Sequence, residues 1–378
     1  MPAGFGTLLA KHDIGDHSVV NGVVGRCFAL EIRFSCFFGP PSGLGRRREK
    51  QMAWDLRSLS PERLAQIRQR QCPPKFGASY EPSIKATREE APRTVRPTQI
   101  FFDLVGRYAH LLGGVEVKAF LYGAYFPFVW ELQEQRMLPC IPAPHPLSLH
   151  SRGAGKSLPP LTGTNAIAAA LGYGELLPRV RVKEGGTTFH IVAPFIGDLL
   201  WFVEDEARDP YLVNWNIKGT TQGFQEPAFV DRPARSAKLA REKVAARHQI
   251  EHDLYSEVGI PTRMLTDKDF DEGVAANLRV LHTHRARPTR LPERDIRLVE
   301  NALLRDMHDG LPPLETSERV KRERSIATDE VRTVLHKAIL RRRIRVELSE
   351  PILFDQPMIP ERTDLLVKLS KWFSRETE

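Results

Sequence analysis

Between Leu212 and Lys218 apolar and polar side chains alternate, with Val213, Trp215 and Ile217 on one face. A period of two predicts a strand with one buried face, ended by Gly219. Lys218 then stands at the strand end and points away from the face that carries Trp215. Upstream, the run from Phe189 to Val203 breaks at Pro194 and Gly197, then resumes as a short, strongly apolar strand opened by Asp198. The intervening Glu204 to Pro210 is polar and contains a proline, the composition of a hairpin turn. The two strands should therefore pair, bringing Asp198 and Lys218 near each other.

Helical periodicity flanks this hairpin. From Ser236 to Val258 the positions Leu239, Val244, Ile250, Leu254 and Val258 describe an amphipathic helix closed by Gly259. A strand from Pro261 to Thr266 follows, and Thr266 can cap a helix from Asp267 to Val280. Glu116 lies in a helix-like run, and Ser60 with Pro61 reads as the start of a helix ending near Arg70. Past the proline-broken basic linker from Arg285 to Pro292, Thr328 caps a helix with Val331, Val334, Leu335, Ala338 and Ile339 on one face. Ile344 to Leu348, a turn at Ser349 to Pro351, and Ile352 to Phe354 would form a β-hairpin after it. Helix followed by hairpin suggests a winged helix, whose DNA-contacting helix would run from Asp329 to Arg343. Arg332, Lys337, Arg341, Arg342 and Arg343 would then meet phosphates or guanine edges. A solvated basic face, or contact with a protein partner, is the competing reading. The expected fold class is α/β, with a mostly helical winged-helix-like C-terminal domain. Its expected parts are a dispensable leader (1–51), a helix and basic arm (52–98), a catalytic domain (99–284) and the C-terminal domain (285–378).

Composition adjusts this picture modestly. A length of 378 residues suits two domains, and a formal charge of +8 favours a polyanionic partner, nucleic acid first. Cysteines at 27, 36, 72 and 140 have neither CxxC nor paired spacing, so neither a zinc site nor a disulfide framework is suggested and a reducing cytoplasm is expected. The apolar stretch from Val19 to Phe38 is interrupted by Arg26, Glu31 and Arg33, which argues against an export signal or a membrane span. Residues from Cys72 to Thr98, rich in Pro, Lys, Arg and Glu, read as an extended arm of a kind that touches DNA backbone. Gly153 to Ser157 ends in Gly-Lys-Ser, but His150 stands where a phosphate loop needs its first glycine, and Leu158-Pro159-Pro160 forbids the helix that must follow. His282-Thr283-His284 is too sparse for a metal site and reads as a basic loop. No role follows from the sequence for the insert from Ala143 to Lys183.

Glu116, Asp198 and Lys218 together carry candidate chemistry. Phosphodiester cleavage requires a nucleophilic water, neutralisation of the crowded phosphate and support for the leaving oxygen, which one or two Mg²⁺ ions can supply. One or two carboxylates with a carbonyl suffice to hold Mg²⁺, and Mn²⁺ can substitute. Lysine could orient the water or stabilise developing charge. Taken singly, each residue also has an ordinary role: a turn acid, an edge lysine, a glutamate serving a helix dipole.

The ordered set Glu116 to Leu121, Trp130 to Gln135, Gly197-Asp198-Leu199 and Asn216-Ile217-Lys218 resembles the TnsA family, the endonuclease subunit of heteromeric transposases. The likeness spans roughly Phe101 to Leu281. It implies a restriction-endonuclease-like PD-(D/E)xK core in which Glu116 matches the helix glutamate, Glu134 and Gln135 a Glu-Gln pair, Asp198 the strand-opening acid and Lys218 the strand-ending lysine. Glu116 and Asp198 would hold Mg²⁺, with Asn216 or the Ile217 carbonyl completing the shell, Lys218 assisting the water and Gln135 standing behind the ligands. The chain departs from the superfamily at Asn216, whose neutral carbonyl replaces the usual acid two residues before the lysine. The resemblance further implies nicking at the 5′ ends of a mobile element, with double-stranded DNA at transposon ends, an RNase H-like transposase and an AAA+ ATPase regulator as partners, in a nucleoid-associated cytoplasmic setting. A non-catalytic DNA-binding or scaffold subunit, and a stand-alone restriction or repair nuclease, are the alternatives.

Overall fold

The computed structural model describes residues 59–93, 95–226 and 234–376. The leader expected over 1–51 lies outside the described residues. In chain order the elements are α1 (Pro61–Gln71), β1 (Thr98–Phe102), β2 (Arg107–Leu111), α2 (Gly114–Tyr125), β3 (Val129–Glu134), α3 (Thr164–Ala170), β4 (Arg179–Glu184), β5 (Thr187–Val192), β6 (Leu199–Glu204), β7 (Pro210–Lys218), α4 (Ala234–Ser256), β8 (Thr262–Thr266), α5 (Glu272–Arg285), α6 (Glu293–His308), α7 (Pro313–Arg324), α8 (Thr328–Leu340) and α9 (Leu365–Trp372). The chain is mixed α/β, with a helical C-terminal region.

A four-stranded mixed sheet, ordered β3-β6-β7-β8, positions everything else. Strand β6 pairs antiparallel with β3 and β7, and β8 lies parallel to β7. The hairpin expected across residues 204–210 is present, with Glu204 opposite Pro210. Alternation in β7 predicted one buried face, yet every residue from Leu212 to Ile217 is buried. The reason is a second layer. Val213, Trp215 and Ile217 pack with α2, α5 and the C-terminal helices, while Leu212 joins the cluster containing Leu254 and Tyr255 of α4 on the other side. Asn214 and Asn216 are therefore interior polar groups, not solvated ones. Helix α2 crosses the sheet so closely that a Cβ added at Gly123 would stand 2.2 Å from the Trp201 ring.

The C-terminal helices share this core. Phe373, at the end of α9, stacks on Phe126 with ring centroids 4.5 Å apart and meets Trp215 at 4.7 Å. Trp215 donates its indole N–H to the Trp372 carbonyl at 3.4 Å, a polar bond that orders the apolar contact. In α8, Val331, Val334, Leu335, Ala338 and Ile339 are all buried as the pattern required. The N-cap position there is Ala327, and Thr328 is already helical, so no side chain caps this helix.

Several expectations are corrected. The strand after α8 takes a different partner: Glu347 N–H donates to the Ile359 carbonyl and Glu361 N–H to the Arg345 carbonyl, so residues 345–347 pair antiparallel with 359–361 instead of with Ile352 to Phe354. The Glu347 carboxylate accepts from Ser349 Oγ and from the N–H groups of Arg362 and Thr363, which fixes that alternative. Thr266 caps only a short 3-10 turn, and α5 begins six residues later, where Asp271 accepts from Val274 N–H. His282 and His284 lie in α5, not in a loop: His282 bonds the Phe101 carbonyl at 2.7 Å and His284 contacts the His336 ring. Leu239 is exposed, and the inner face of α4 is carried by Ala246, Ile250 and Leu254. The segment expected to be a free arm is packed: Glu90 pairs with Arg63 and Arg70 at 2.6 Å each, and Tyr80 donates to the Glu134 carbonyl at 2.7 Å. Within the insert, α3 packs on α4, and residues 154–160 after the Gly-rich stretch hold no helix. Among the described residues no helix is long and apolar enough to cross a membrane.

Candidate active site

Asp198 enters β6 immediately after Gly197, where a Cβ would stand only 3.0 Å from Glu251 Oε1. The backbone can thus pass over a buried carboxylate and deliver Asp198 to the end of the sheet. There the antiparallel register brings it to β7: Ile217 N–H donates to Asp198 Oδ2 at 2.7 Å, and Lys218 Nζ reaches the same oxygen at 3.3 Å. Asp198 is 8% exposed. Burial acts to raise its pKa, but Lys218, Arg247 and the Ile217 N–H outweigh it and hold the carboxyl below its ordinary range.

Glu116 arrives from the first turn of α2. Its Oε2 accepts from Leu112 N–H at 2.8 Å and from Gln135 Nε2 at 3.2 Å, so it does serve the helix start, as an ordinary first-turn glutamate would. Its Oε1 has no hydrogen bond among the described residues. Burial, then the charge of Asp198, pushes the Glu116 pKa up to about 8. Gln135 ties the two acids together: its N–H donates to the Asp198 carbonyl at 2.9 Å while its side chain holds Glu116. Gln135 adopts φ 50°, a left-handed conformation uncommon outside glycine, which these bonds on both sides sustain.

Asn216 and Ile217, expected to complete a metal shell, are engaged elsewhere. The Asn216 amide, with its nitrogen toward α4, donates to both Glu251 oxygens at 3.0 and 3.2 Å. The Ile217 carbonyl accepts from Lys218 Nζ at 3.0 Å. The carboxylate oxygens without a hydrogen bond among the described residues are Glu116 Oε1 and Asp198 Oδ1, and the Ile217 carbonyl keeps a second lone pair. Two like-charged carboxyls, one driven to hold its proton, are a donor set that a hard divalent cation would relieve, and Mg²⁺ needs no more than two protein carboxylates. Among the described residues no group of three or more His, Cys, Asp or Glu side chains forms a fuller cage.

Sequence reasoning missed the α4 side of the site. Arg247 donates to the Ile196 carbonyl at 2.6 Å and lies 4.0 Å from Asp198 Oδ1 and 3.7 Å from Glu251 Oε2. Glu251 is wholly buried, and burial raises its pKa against the pull of Arg247. His248, beside the Phe224 ring, is driven down to about 3 by burial, then by Arg247 and Lys218. The available signal was Arg247 and Glu251 at i,i+4, with Glu251 falling on the face of Ile250 and Leu254.

The C-terminal basic residues do not gather on one free surface. Arg342 pairs with Glu361 at 3.1 Å and Asp364 at 2.9 Å, Arg343 pairs with Glu300 at 2.7 Å, and Arg332 stacks over Phe354 at 4.6 Å. Lys337 is partly buried, and burial followed by Arg341 lowers its pKa; Arg341 is exposed beyond the helix end. Arg342→Ala should consequently act on stability, lowering it by about 1–3 kcal/mol in urea unfolding, with little change in the salt dependence of DNA binding.

The Glu116 shift makes a second prediction. A carboxyl whose pKa rises from 4.5 unfolded to about 8 folded binds more protons in the native state. Its contribution is therefore fully present below pH 4.5 and is lost as pH rises through 8. In EDTA, thermal unfolding of the wild type should fall between pH 6 and 8.5 relative to Glu116→Gln; parallel profiles would remove the assigned shift. No family model matches the sequence, and comparison with curated proteins returns no match.

Proposed function

We propose that this chain is a Mg²⁺-dependent DNA endonuclease with a restriction-endonuclease-like core, resembling the TnsA family. It would nick the 5′ ends of a mobile element within a heteromeric transposase. The convergence of Glu116, Asp198 and Lys218 at one end of the sheet carries this reading, with Lys218 Nζ 3.3 Å from Asp198 Oδ2 and Glu116 close enough to feel the Asp198 charge. A divalent cation held by these two carboxylates would neutralise phosphate charge and make a bound water more acidic. The remaining work belongs to the chain itself. The Ile217 N–H fixes Asp198, Gln135 fixes Glu116, and the Lys218 ammonium can hydrogen-bond the attacking water or a phosphate oxygen gaining charge. Arg247 adds a second cation beside Asp198.

The engagement of Asn216 by Glu251 favours a second reading, a non-catalytic DNA-binding or scaffold subunit, because the site keeps fewer ligands than the superfamily pattern. Strand-specific nicking of DNA carrying element ends, with and without an RNase H-like transposase and its AAA+ regulator, separates the readings. Nicks at 5′ ends that require the partner support the transposon endonuclease. Nicking without a partner indicates a stand-alone nuclease, and none in a competent assembly indicates a scaffold.

A further inference from the structure

The hairpin β4–β5 carries its positive charge on one face. Its register sets Arg179 opposite Val192, Arg181 opposite His190 and Lys183 opposite Thr188, so these side chains share a face while Val180, Val182, Phe189 and Ile191 share the other. The apolar face is the anchored one: Val180 is 1% exposed and packs with Leu64 of α1 and Ala193, beside Val182 and Ile191. Arg179, Arg181, Lys183, Thr188 and His190 are exposed. Arg179 leans on Glu175 at 3.5 Å, whereas among the described residues no carboxylate pairs with Arg181 or Lys183. Glu184, the acid of this hairpin, falls on the opposite face. Gly185 and Gly186, at φ 56° and 83°, close a tight tip that adds no bulk.

We propose that β4–β5 is a DNA-binding ribbon that enters the groove of a duplex with Arg181 and Lys183 against the phosphates. A two-stranded ribbon fits a major groove about 12 Å wide. Alternate residues along a strand are about 6.6 Å apart, close to the axial rise of two nucleotides, about 6.8 Å. The ribbon also leads straight to the candidate site. The ten steps from Thr188 to Asp198 span at most about 36 Å, roughly one helical turn of duplex. This inference goes beyond the cleavage reading and stands on binding alone.

The test is fluorescence anisotropy of the full chain on a 30-base-pair duplex across a salt series in EDTA, with hydroxyl-radical footprinting, for wild type, Arg181→Ala/Lys183→Ala and the charge-conserving Arg181→Lys/Lys183→Arg. The alanine pair should reduce the salt slope by about 1.8, weaken binding roughly tenfold or more at 0.1 M salt, and lose part of the footprint. The conservative pair should retain all three, which excludes a folding defect as the cause. An unchanged slope, an intact footprint despite a reduced slope, or a wild type that binds no duplex would overturn the assignment. Loss of polyglutamate binding with duplex binding intact would overturn it in favour of an acidic protein partner. Because metal is chelated throughout, these readouts do not depend on cleavage, and a wild type that fails to nick in Mg²⁺ would count against the cleavage reading without altering them.

Discussion

Asp198→Ala should lower the nicking rate by about 10³-fold or more while leaving duplex affinity within about twofold, measured by single-turnover cleavage and by anisotropy. The residue supplies one of the two carboxylates free to face a cation, and it is also the group that Lys218 and the Ile217 N–H hold in place. Removing it takes away a negative charge, so electrostatic attraction to DNA is not reduced. Alanine also leaves the buried Ile217 N–H without its acceptor, at about 1–3 kcal/mol of stability. Asp198→Asn separates these effects. The amide oxygen can still accept from Ile217, so stability should largely return while nicking stays lost. An Asn variant that nicks at the wild-type rate would remove Asp198 from the chemistry.

Arg107→Ala should destabilise the fold by about 3–5 kcal/mol in urea unfolding. Arg107 meets Glu134 through its two terminal guanidinium nitrogens at 2.7 and 2.9 Å and donates to the Leu132 carbonyl at 2.6 Å, tying β2 to β3. Glu134 has no exposed surface, so truncating its partner strands a charge in the interior. Glu134 also accepts from His110 N–H at 2.9 Å. These contacts account for Glu134 beside Gln135 in structural terms: the glutamate fixes the end of β3, from which Gln135 reaches both acids. Replacing the pair by Arg107→Met/Glu134→Leu should recover much of the loss, since two apolar groups leave no unpaired charge. If Arg107→Ala unfolds at the wild-type urea midpoint, the pair contributes nothing.

The sheet end was legible because its signals are local. The hairpin between Asp198 and Lys218 follows from Pro210 and the polar turn, and β6–β7 pairing brings its ends together whatever packs outside. Glu116 lay in a helix as read, though its distance from Asp198 depends on α2 crossing the sheet at Gly123. What failed depends on long-range choices. Ile344 to Leu348 has strand character, but its partner at residues 359–361 is selected by the Glu347 carboxylate, which no nearby pattern reveals. Arg63, Arg70 and Glu90 resemble solvated charges and instead pair with one another, packing a segment that composition made an arm. Arg247 and Glu251 resemble a surface i,i+4 pair, yet Glu251 faces inward to Asn214 and Asn216. Arg342 and Arg343 read as a basic cluster until the carboxylates of Glu361, Asp364 and Glu300 meet them.

Nicking at the 5′ ends of DNA carrying element ends, with the RNase H-like transposase present, by wild type and Lys218→Ala, in Mg²⁺ and in EDTA, is the decisive assay for a metal-assisted site built on Glu116, Asp198 and Lys218. Wild type should cut only with the metal, and Lys218→Ala should cut about 10²- to 10³-fold more slowly at unchanged duplex affinity. Cleavage that persists in EDTA, or that proceeds at the wild-type rate without Lys218, would contradict it.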